Sequence, residues 1–446
     1  TVTAVLTLAF CLGVFPVDAV AKSAIEKLGP HLRFMLEDRA QFLSDPDVPV
    51  LSSAAQEDGD LVDVFVLGDV DAGLLRGHGA VARTVLPGLA TARVPVTALQ
   101  GLASSPRVSS IRGASELRPQ LDENRIATNV IEAWGGAPPN FPSSGITGAG
   151  VIVGIVDTGI DWSHDDFKNA NGSSRILYLW SQGEPGGSTP GNYGYGSEWT
   201  AQEIQNGQCT SVDQDGHGTH IAGVAAGNGR ATGNGFPAYT YVGMAPEADL
   251  VIVKVGDYYG TITDTHVLDA VAYVFEKASA EGKNAVVCVA LGKQTGPHDG
   301  TDPLDVGIDL LSGPGRIVVA PSGNEGTTQI HARAYLNPNQ SADVSLIVPV
   351  HPVSYGEKVR MEGWFDHESD FEVSMTSPSG AEYGPVGIGE IFQNNTADGF
   401  VRFYGMPESS GPQQVYVELS AIPSSSTPLK DGEWFIHIRD KGNTGG

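Results

Sequence analysis

The sequence predicts an α/β fold: a parallel sheet with helices on both faces, preceded by a small α+β domain and followed by an all-β domain. Four continuous apolar runs are typical of strands buried on both faces, at 151–156, 250–255, 284–289 and 316–320. Helical patterns lie between these runs, at 220–226, 264–281 and 305–311. Strands that alternate with helices in this way indicate a parallel sheet covered on both faces.

The first segment, residues 1–21, has the layout of a secretory signal. It is uncharged and mostly apolar as far as Val17, and it ends in the small-residue sequence Ala19-Val20-Ala21. The apolar part is too short to span a bilayer. A buried N-terminal helix is the alternative. We therefore predict a protein that is secreted, to the extracellular space or the cell envelope, and that has no membrane span.

Residues 22–128 have the pattern of a small α+β domain. Apolar residues at helical spacing predict a helix within 22–45, although Pro30 interrupts it. The remaining elements form a β–helix–β pattern: strands at 62–67, at 81–96 with a break near Pro87-Gly88, and at 108–112, with a helix at 97–103. The polar stretch 117–129 is predicted to be a linker.

The pattern changes again in residues 331–446, after an α/β domain that we place at 129–330. Short apolar stretches are separated by Gly, Pro and Ser turns, at 344–348, 371–375, 400–404, 414–418 and 434–438. Many short strands with regular turns indicate an antiparallel sandwich, jelly-roll-like in type. We predict that this all-β part is an insert in the α/β domain.

The charge balance is strongly acidic, with 52 Asp and Glu residues against 26 Lys and Arg residues and a net charge of −26. Such a surface repels nucleic acids and anionic membranes, so we predict neither as a partner. Carboxylates at Asp166, Asp213 and Asp215 are solvated loop residues or, alternatively, part of a structural calcium site. Cys209 and Cys288 either pair as a disulfide or remain free thiols.

Two glycine-framed segments carry the residues with the clearest chemistry. Asp157 stands at the carboxyl end of a predicted buried strand, where α/β folds collect their active-site groups. His217 lies between two glycines, directly before a predicted helix. An aspartate beside an imidazole fixes its tautomer and stabilises the imidazolium, so the histidine can act as a general base toward a hydroxyl. A structural Asp and a core His are the alternative.

These two segments resemble the aspartate and histidine boxes of the subtilisin-like serine proteases, the subtilases. Val289 to Gly292 resembles the family's substrate-pairing segment, which makes Ala290, Leu291 and Gly292 substrate-binding residues. Ala320 to Gly326 resembles the segment with the oxyanion-hole asparagine, here Asn324. The resemblance implies a serine endopeptidase with a protein or peptide substrate, no cofactor for the chemistry, and residues 22–128 as a propeptide that inhibits its own enzyme. The all-β insert resembles that of the Csp-type proteases.

Two features depart from the family pattern. No Gly-Thr-Ser-Met-Ala-like box is present before Gly446, so we expect the nucleophilic serine beyond the end of this chain and little activity from these residues alone. A naturally non-catalytic pseudoprotease, acting as a regulator or peptide-binding scaffold, is the alternative. In addition, Ala290 and Lys293 replace the family's more usual residues, which leaves the substrate preference open.

Overall fold

The computed structural model describes sixteen stretches of the chain. They comprise residues 24–29, 32–33, 36, 61–114, 118–119, 130–136, 138, 140–141, 145–233, 235–325, 330–337, 339–348, 358–365, 370–406, 413–422 and 427–441. The signal-like segment 1–21 and most of the predicted helix 22–45 lie outside the described residues. A short 3-10 helix at Ala24–Lys27 is the first described element.

The N-terminal part is a four-stranded antiparallel sheet with order β2-β3-β1-β4. Its elements are β1 (Leu61–Gly68), α1 (Ala72–Gly77), β2 (Val81–Leu86), β3 (Leu89–Pro95), α2 (Leu99–Ala103) and β4 (Val108–Gly113). The predicted strands and the break near Pro87-Gly88 are confirmed, and α1 was not predicted. Alternate residues of β1 face opposite sides of the sheet, so Val62, Val64 and Val66 enter the core beneath α1 and α2.

The central sheet has six strands in the order β12-β10-β6-β9-β7-β8. Its region contains β5 (Arg118–Pro119), α3 (Val130–Trp134), β6 (Val151–Asp157), β7 (Ile176–Ser181), β8 (Ser197–Thr200), α4 (Ala201–Gln205), α5 (His217–Ala226), β9 (Asp249–Lys254), α6 (Asp264–Ala280), β10 (Asn284–Val289), β11 (Leu291–Gly292), α7 (Pro303–Leu311) and β12 (Arg316–Val319). The four predicted strands pair in parallel, which confirms the α/β fold. The sheet is mixed, however, because β8 pairs with β7 in the antiparallel direction.

Both faces of the central sheet are covered, as predicted. Ile152 and Val156 of β6 pack in the core on the α6 side, and Val153 and Ile155 pack on the α5 side. Helix α6 lies so close to β6 that a Cβ added at Gly154 would be only 2.5 Å from the Val274 side chain. This two-sided burial explains why the strand sequences are continuous apolar runs.

The C-terminal part is an antiparallel sandwich, which confirms the all-β prediction. Its two sheets have the orders β13-β20-β15-β16 and β14-β19-β18-β17. The strands are β13 (Ser341–Val348), β14 (Lys358–Phe365), β15 (Phe371–Thr376), β16 (Glu382–Gly387), β17 (Ile391–Thr396), β18 (Gly399–Met406), β19 (Gln413–Ser420) and β20 (Gly432–Asp440). Their inward side chains form one core around Trp434 and Phe403. The domain limits themselves stay predictions.

The N-terminal sheet packs against α6 of the central region through its second face. Phe65 and Leu89 enter the same core as Leu268. Beside this apolar contact, Asp269 of α6 is fully buried and accepts hydrogen bonds of 2.6 Å from both Thr84 and Thr91. Tyr195 donates a further hydrogen bond, of 2.9 Å, to the Asp269 carboxylate. Burial raises the pKa of Asp269, and these hydrogen bonds offset only part of that rise.

Charged groups continue this buried cluster toward β1. Arg83 forms an ion pair of 2.9 Å with Asp63 and lies 3.8 Å from Asp269. Arg93 pairs with the other oxygen of Asp63 at 3.0 Å. The negative charges of the Asp63 and Asp269 carboxylates are therefore balanced by the positive charges of the Arg83 and Arg93 guanidinium groups. His266 of α6 lies 3.7 Å from Asp63, and burial, reinforced by the two arginines, lowers the pKa of His266 to about 3.

Acidification is expected to destabilise the protein through His266. In the unfolded chain the imidazole titrates near pH 6.5, so between pH 6.5 and about pH 3 the unfolded state binds a proton that the folded state excludes. This contribution to stability is complete above pH 6.5 and falls by about 1.4 kcal/mol per pH unit below it. Urea unfolding of the wild type and of His266→Gln measures the difference. Between about pH 6.5 and about pH 5, the free energy of unfolding of the variant should fall by about 2 kcal/mol less than that of the wild type. Equal losses would contradict the assignment.

Candidate active site

Asp157 is the last residue of β6 and lies at the carboxyl edge of the central sheet. Its side chain is fully buried. The backbone N–H of Thr158 donates a hydrogen bond of 2.7 Å to its Oδ1 atom. Burial raises the pKa of Asp157, and hydrogen bonds from His217 and Thr158 offset only part of that rise. The carboxylate is thus desolvated and held in one orientation.

His217 is the first residue of α5 and faces Asp157 directly. Its Nδ1 atom lies 2.7 Å from Asp157 Oδ1. Gly216, with φ of 88°, turns the chain into the helix. Gly218 lets the helix approach the strand, because a Cβ there would lie only 2.3 Å from the carbonyl oxygen of Gly159. The glycines on either side of the histidine therefore allow the turn and the close approach that bring His217 to Asp157.

The other ring nitrogen of His217 is available for chemistry. Its Nε2 atom is buried and has no hydrogen-bond partner in the described part of the chain. Because Nδ1 faces a carboxylate, the proton of the neutral ring resides on Nδ1, and Nε2 carries the lone pair. This arrangement can take a proton from a hydroxyl placed at Nε2.

Thr158 and Asp213 connect the two segments, and the sequence analysis did not assign them this role. The Thr158 hydroxyl donates to Asp213 Oδ1 (2.9 Å) and accepts from the Gly218 N–H (2.8 Å). Asp213 also accepts hydrogen bonds from the Gly216 N–H (2.9 Å) and from the N–H and hydroxyl of Thr219 (2.9 and 2.6 Å). Burial would raise the pKa of Asp213, but these donors outweigh it and lower the pKa. A hydroxyl directly after Asp157 was the available sequence signal.

The predicted substrate-binding segment lies at the same edge of the sheet, after the neighbouring strand β10. Ala290 and Leu291 are buried, and Leu291 and Gly292 form β11. The strand pairs with β5 in the antiparallel direction, Leu291 opposite Pro119 and Gly292 opposite Arg118. The backbone of this segment therefore binds another extended segment, here one that follows the N-terminal sheet.

Asn324 lies in the segment after β12 and has an exposed side chain. Its backbone N–H donates to the Glu325 carboxylate at 2.9 Å, and the Gln294 side chain donates to the same oxygen at 2.8 Å. The predicted oxyanion segment is thus tied to the chain that continues from β11. The structure places Asn324 after β12, at the same edge of the sheet as Asp157, and shows no hydrogen bond between its side chain and His217.

The three carboxylates of the calcium alternative, Asp166, Asp213 and Asp215, accept hydrogen bonds from the chain around them. Asp166 accepts the N–H of Ala231 at 2.7 Å, and Asp215 accepts the N–H of His217 at 3.3 Å. Within the described stretches, no three His, Cys, Asp or Glu residues group in a way that could hold a metal ion. Of the two alternatives for Cys209 and Cys288, the structure shows free thiols and not a disulfide.

Comparison with known proteins finds a family match over part of the chain. Residues 148–352 match the Subtilase family, peptidase S8. The chain is 30% identical to subtilisin DY of Bacillus licheniformis over 42% of its own length and 52% of that protein. It is also 30% identical to the major intracellular serine protease of Bacillus subtilis, over 46% of this chain and 52% of that protein. The chain spans about half the length of these curated relatives.

A solved structure supports the fold. The CspB protease of Clostridium perfringens superposes with a TM-score of 0.55 at 23% identity, covering 67% of this chain and 60% of that one. The likeness confirms the predicted fold resemblance to the Csp-type proteases. Across the residues that the structure describes, no helix has both the length and the apolar character to cross a membrane.

Proposed function

We infer, from the match of residues 148–352 to the Subtilase family, that the full-length protein is a serine endopeptidase with an Asp-His-Ser triad. The single observation that carries this proposal is the contact between Asp157 Oδ1 and His217 Nδ1, at 2.7 Å, with Nε2 left unpartnered. A buried carboxylate that holds one imidazole tautomer is what general-base activation of a serine requires. The substrate class is protein or extended peptide.

Each site residue has a step in this mechanism. His217 Nε2 removes the proton of the attacking serine and then donates it to the leaving amine, while Asp157 stabilises the imidazolium. Extended substrate pairs with the backbone of Leu291 and Gly292 as β5 does. Asn324 donates its side-chain amide to the oxyanion of the tetrahedral intermediate, a contribution of about 3–4 kcal/mol. None of these steps requires a cofactor.

We place the nucleophilic serine outside the 446 residues. One observation supports this: among the described residues, no serine hydroxyl is hydrogen-bonded to His217 Nε2. On this proposal, the 446-residue chain alone hydrolyses peptides at close to the background rate, because His217 has no hydroxyl to activate.

The N-terminal region is proposed to be a propeptide that inhibits the enzyme until it is cleaved. The pairing of β5 with β11 supports this role, since Arg118–Pro119 lies where extended substrate would bind. The buried contacts of the N-terminal sheet with α6 supply the affinity. Together with the signal-like segment 1–21, this organisation favours export of an inactive precursor to the extracellular space or the cell envelope.

A serine-directed fluorophosphonate tests the proposal. The full-length protein, labelled as purified and again after limited proteolysis of the N-terminal region, should be modified at one serine, and the 446-residue chain should not. A full-length protein that is neither labelled nor active on unfolded protein substrates would instead favour the non-catalytic, peptide-binding alternative. Labelling of the 446-residue chain in stoichiometric amount would contradict the placement of the serine.

A further inference from the structure

The chain that leaves the substrate-pairing strand β11 enters a buried cluster of charges. Lys293, directly after Gly292, places its Nζ atom 3.1 Å from Asp264 Oδ2 and 3.1 Å from Asp302 Oδ2. Its side chain is 14% exposed and that of Asp264 is 3% exposed. Burial would lower the pKa of Lys293, but the two carboxylates outweigh it and raise the pKa. The ammonium is therefore charged and fixed.

Both carboxylates lie at the N-terminus of a helix. Asp264 begins α6, and Asp302 caps α7 by accepting the Leu304 N–H at 3.0 Å. Lys293 thus ties the end of β11 to two helices that flank the central sheet. A carboxylate near a helix N-terminus also interacts favourably with the helix dipole, which strengthens both anchors.

A third carboxylate reaches this segment from the β-sandwich. Glu362 of β14 accepts the backbone N–H of Gly296 at 3.0 Å, across 66 residues of sequence. Burial raises the pKa of Glu362, and the Gly296 hydrogen bond and the charge of Lys293 offset part of that rise. Gly296 has φ of 111°, and a Cβ there would lie 3.1 Å from Asp302 Oδ2. The glycine lets the chain pass between the two carboxylates.

We propose that Glu362 and Lys293 are positioning residues through which the β-sandwich holds β11 in register for extended substrate. This inference rests on the proposed function, because it assigns β11 to substrate binding. Three anchors within four residues fix the segment: Lys293 to the helices, Gln294 to Glu325, and Gly296 to Glu362. Through the hydrogen bond from Gly296 to Glu362, the sandwich acts on the segment that follows β11.

Substitution of Glu362 in the full-length protein separates this role from general stability. Glu362→Ala removes the acceptor for Gly296, and we expect the KM for an extended peptide to rise about tenfold, with kcat within about twofold. A single-residue ester, which does not pair along β11, should keep its KM. Glu362→Gln retains an acceptor oxygen and should restore the KM of the extended peptide to within about twofold of wild type.

The matched control is Glu372→Ala, on β15 of the same sandwich. Glu372 makes a surface ion pair with Arg439 at 3.3 Å, and its removal should leave every KM unchanged. An unchanged KM for the extended peptide in Glu362→Ala would overturn the proposal. A Glu362→Gln variant that matched Glu362→Ala would also overturn it, because the hydrogen bond would then not be the positioning contact.

Hydrogen exchange supplies a readout that needs no activity. In the full-length Glu362→Ala variant, amides of residues 291–296 should exchange about tenfold faster than in the wild type, and in Glu372→Ala they should not. Unchanged exchange at 291–296 would overturn the inference even in an active enzyme. A full-length protein that hydrolyses no peptide, but shows the faster exchange, would contradict only the proposed function.

Discussion

Replacement of His217 by alanine in the full-length protein is expected to reduce kcat for peptide hydrolysis by about 10⁶. The reason is that Nε2 of His217, which has no hydrogen-bond partner in the described part of the chain, is the base that the proposed serine needs. Initial rates on a fluorogenic extended peptide measure the loss. The KM should change little, because the ring pairs with Asp157 and not with the substrate backbone along β11.

A second substitution in the proposed triad and a control substitution accompany this prediction. Asp157→Asn keeps the shape of the side chain but favours the wrong histidine tautomer, so kcat should fall by about 10⁴. Asp165→Asn removes an exposed carboxylate that pairs with Lys168 and should leave kcat unchanged. If His217→Ala kept more than about a hundredth of the activity, a base other than His217 would be required and the proposed triad would be wrong.

The fold was predictable where burial imposes a pattern on the sequence. Strands β6, β9 and β10 are covered on both faces, so each appears as a continuous apolar run. The edge strand β8 was missed because it has four residues and pairs on one side only. In the sandwich, β17 (Ile391–Thr396) was missed because four of its six residues are polar, and its partner β18 supplies the buried side chains.

The site was predictable only as far as local sequence specifies it. Asp157 and His217 stand out because glycines frame them, and the structure brings them into contact. Thr158 and Asp213 were not recognised as a connection, because their hydrogen bond joins residues 55 positions apart and depends on how α5 docks on β6. The role of Glu362 was unpredictable for the same reason, since it comes from another part of the fold.

Substitution of Arg83 by methionine is expected to lower the free energy of unfolding by about 3–5 kcal/mol. Arg83 lies at the contact between the N-terminal sheet and α6, where two carboxylates, Asp63 and Asp269, balance two guanidinium groups. Methionine fills a similar volume but leaves the carboxylate of the fully buried Asp269 without a compensating positive charge. Urea unfolding of the 446-residue chain at about pH 7 measures the loss.

The pH dependence of this loss distinguishes a buried charge from a simple packing defect. Burial already raises the pKa of Asp269, and removal of Arg83 raises it further, so the folded variant takes up a proton as the pH falls. The deficit relative to wild type should therefore shrink between about pH 7 and about pH 5, whereas a packing defect would be constant. Arg107→Met, which breaks exposed ion pairs with Asp69 and Asp71, is the control and should lower the free energy of unfolding far less than Arg83→Met does. A constant deficit in Arg83→Met, or one as small as in the control, would show that the N-terminal sheet is held on α6 by its apolar contacts alone.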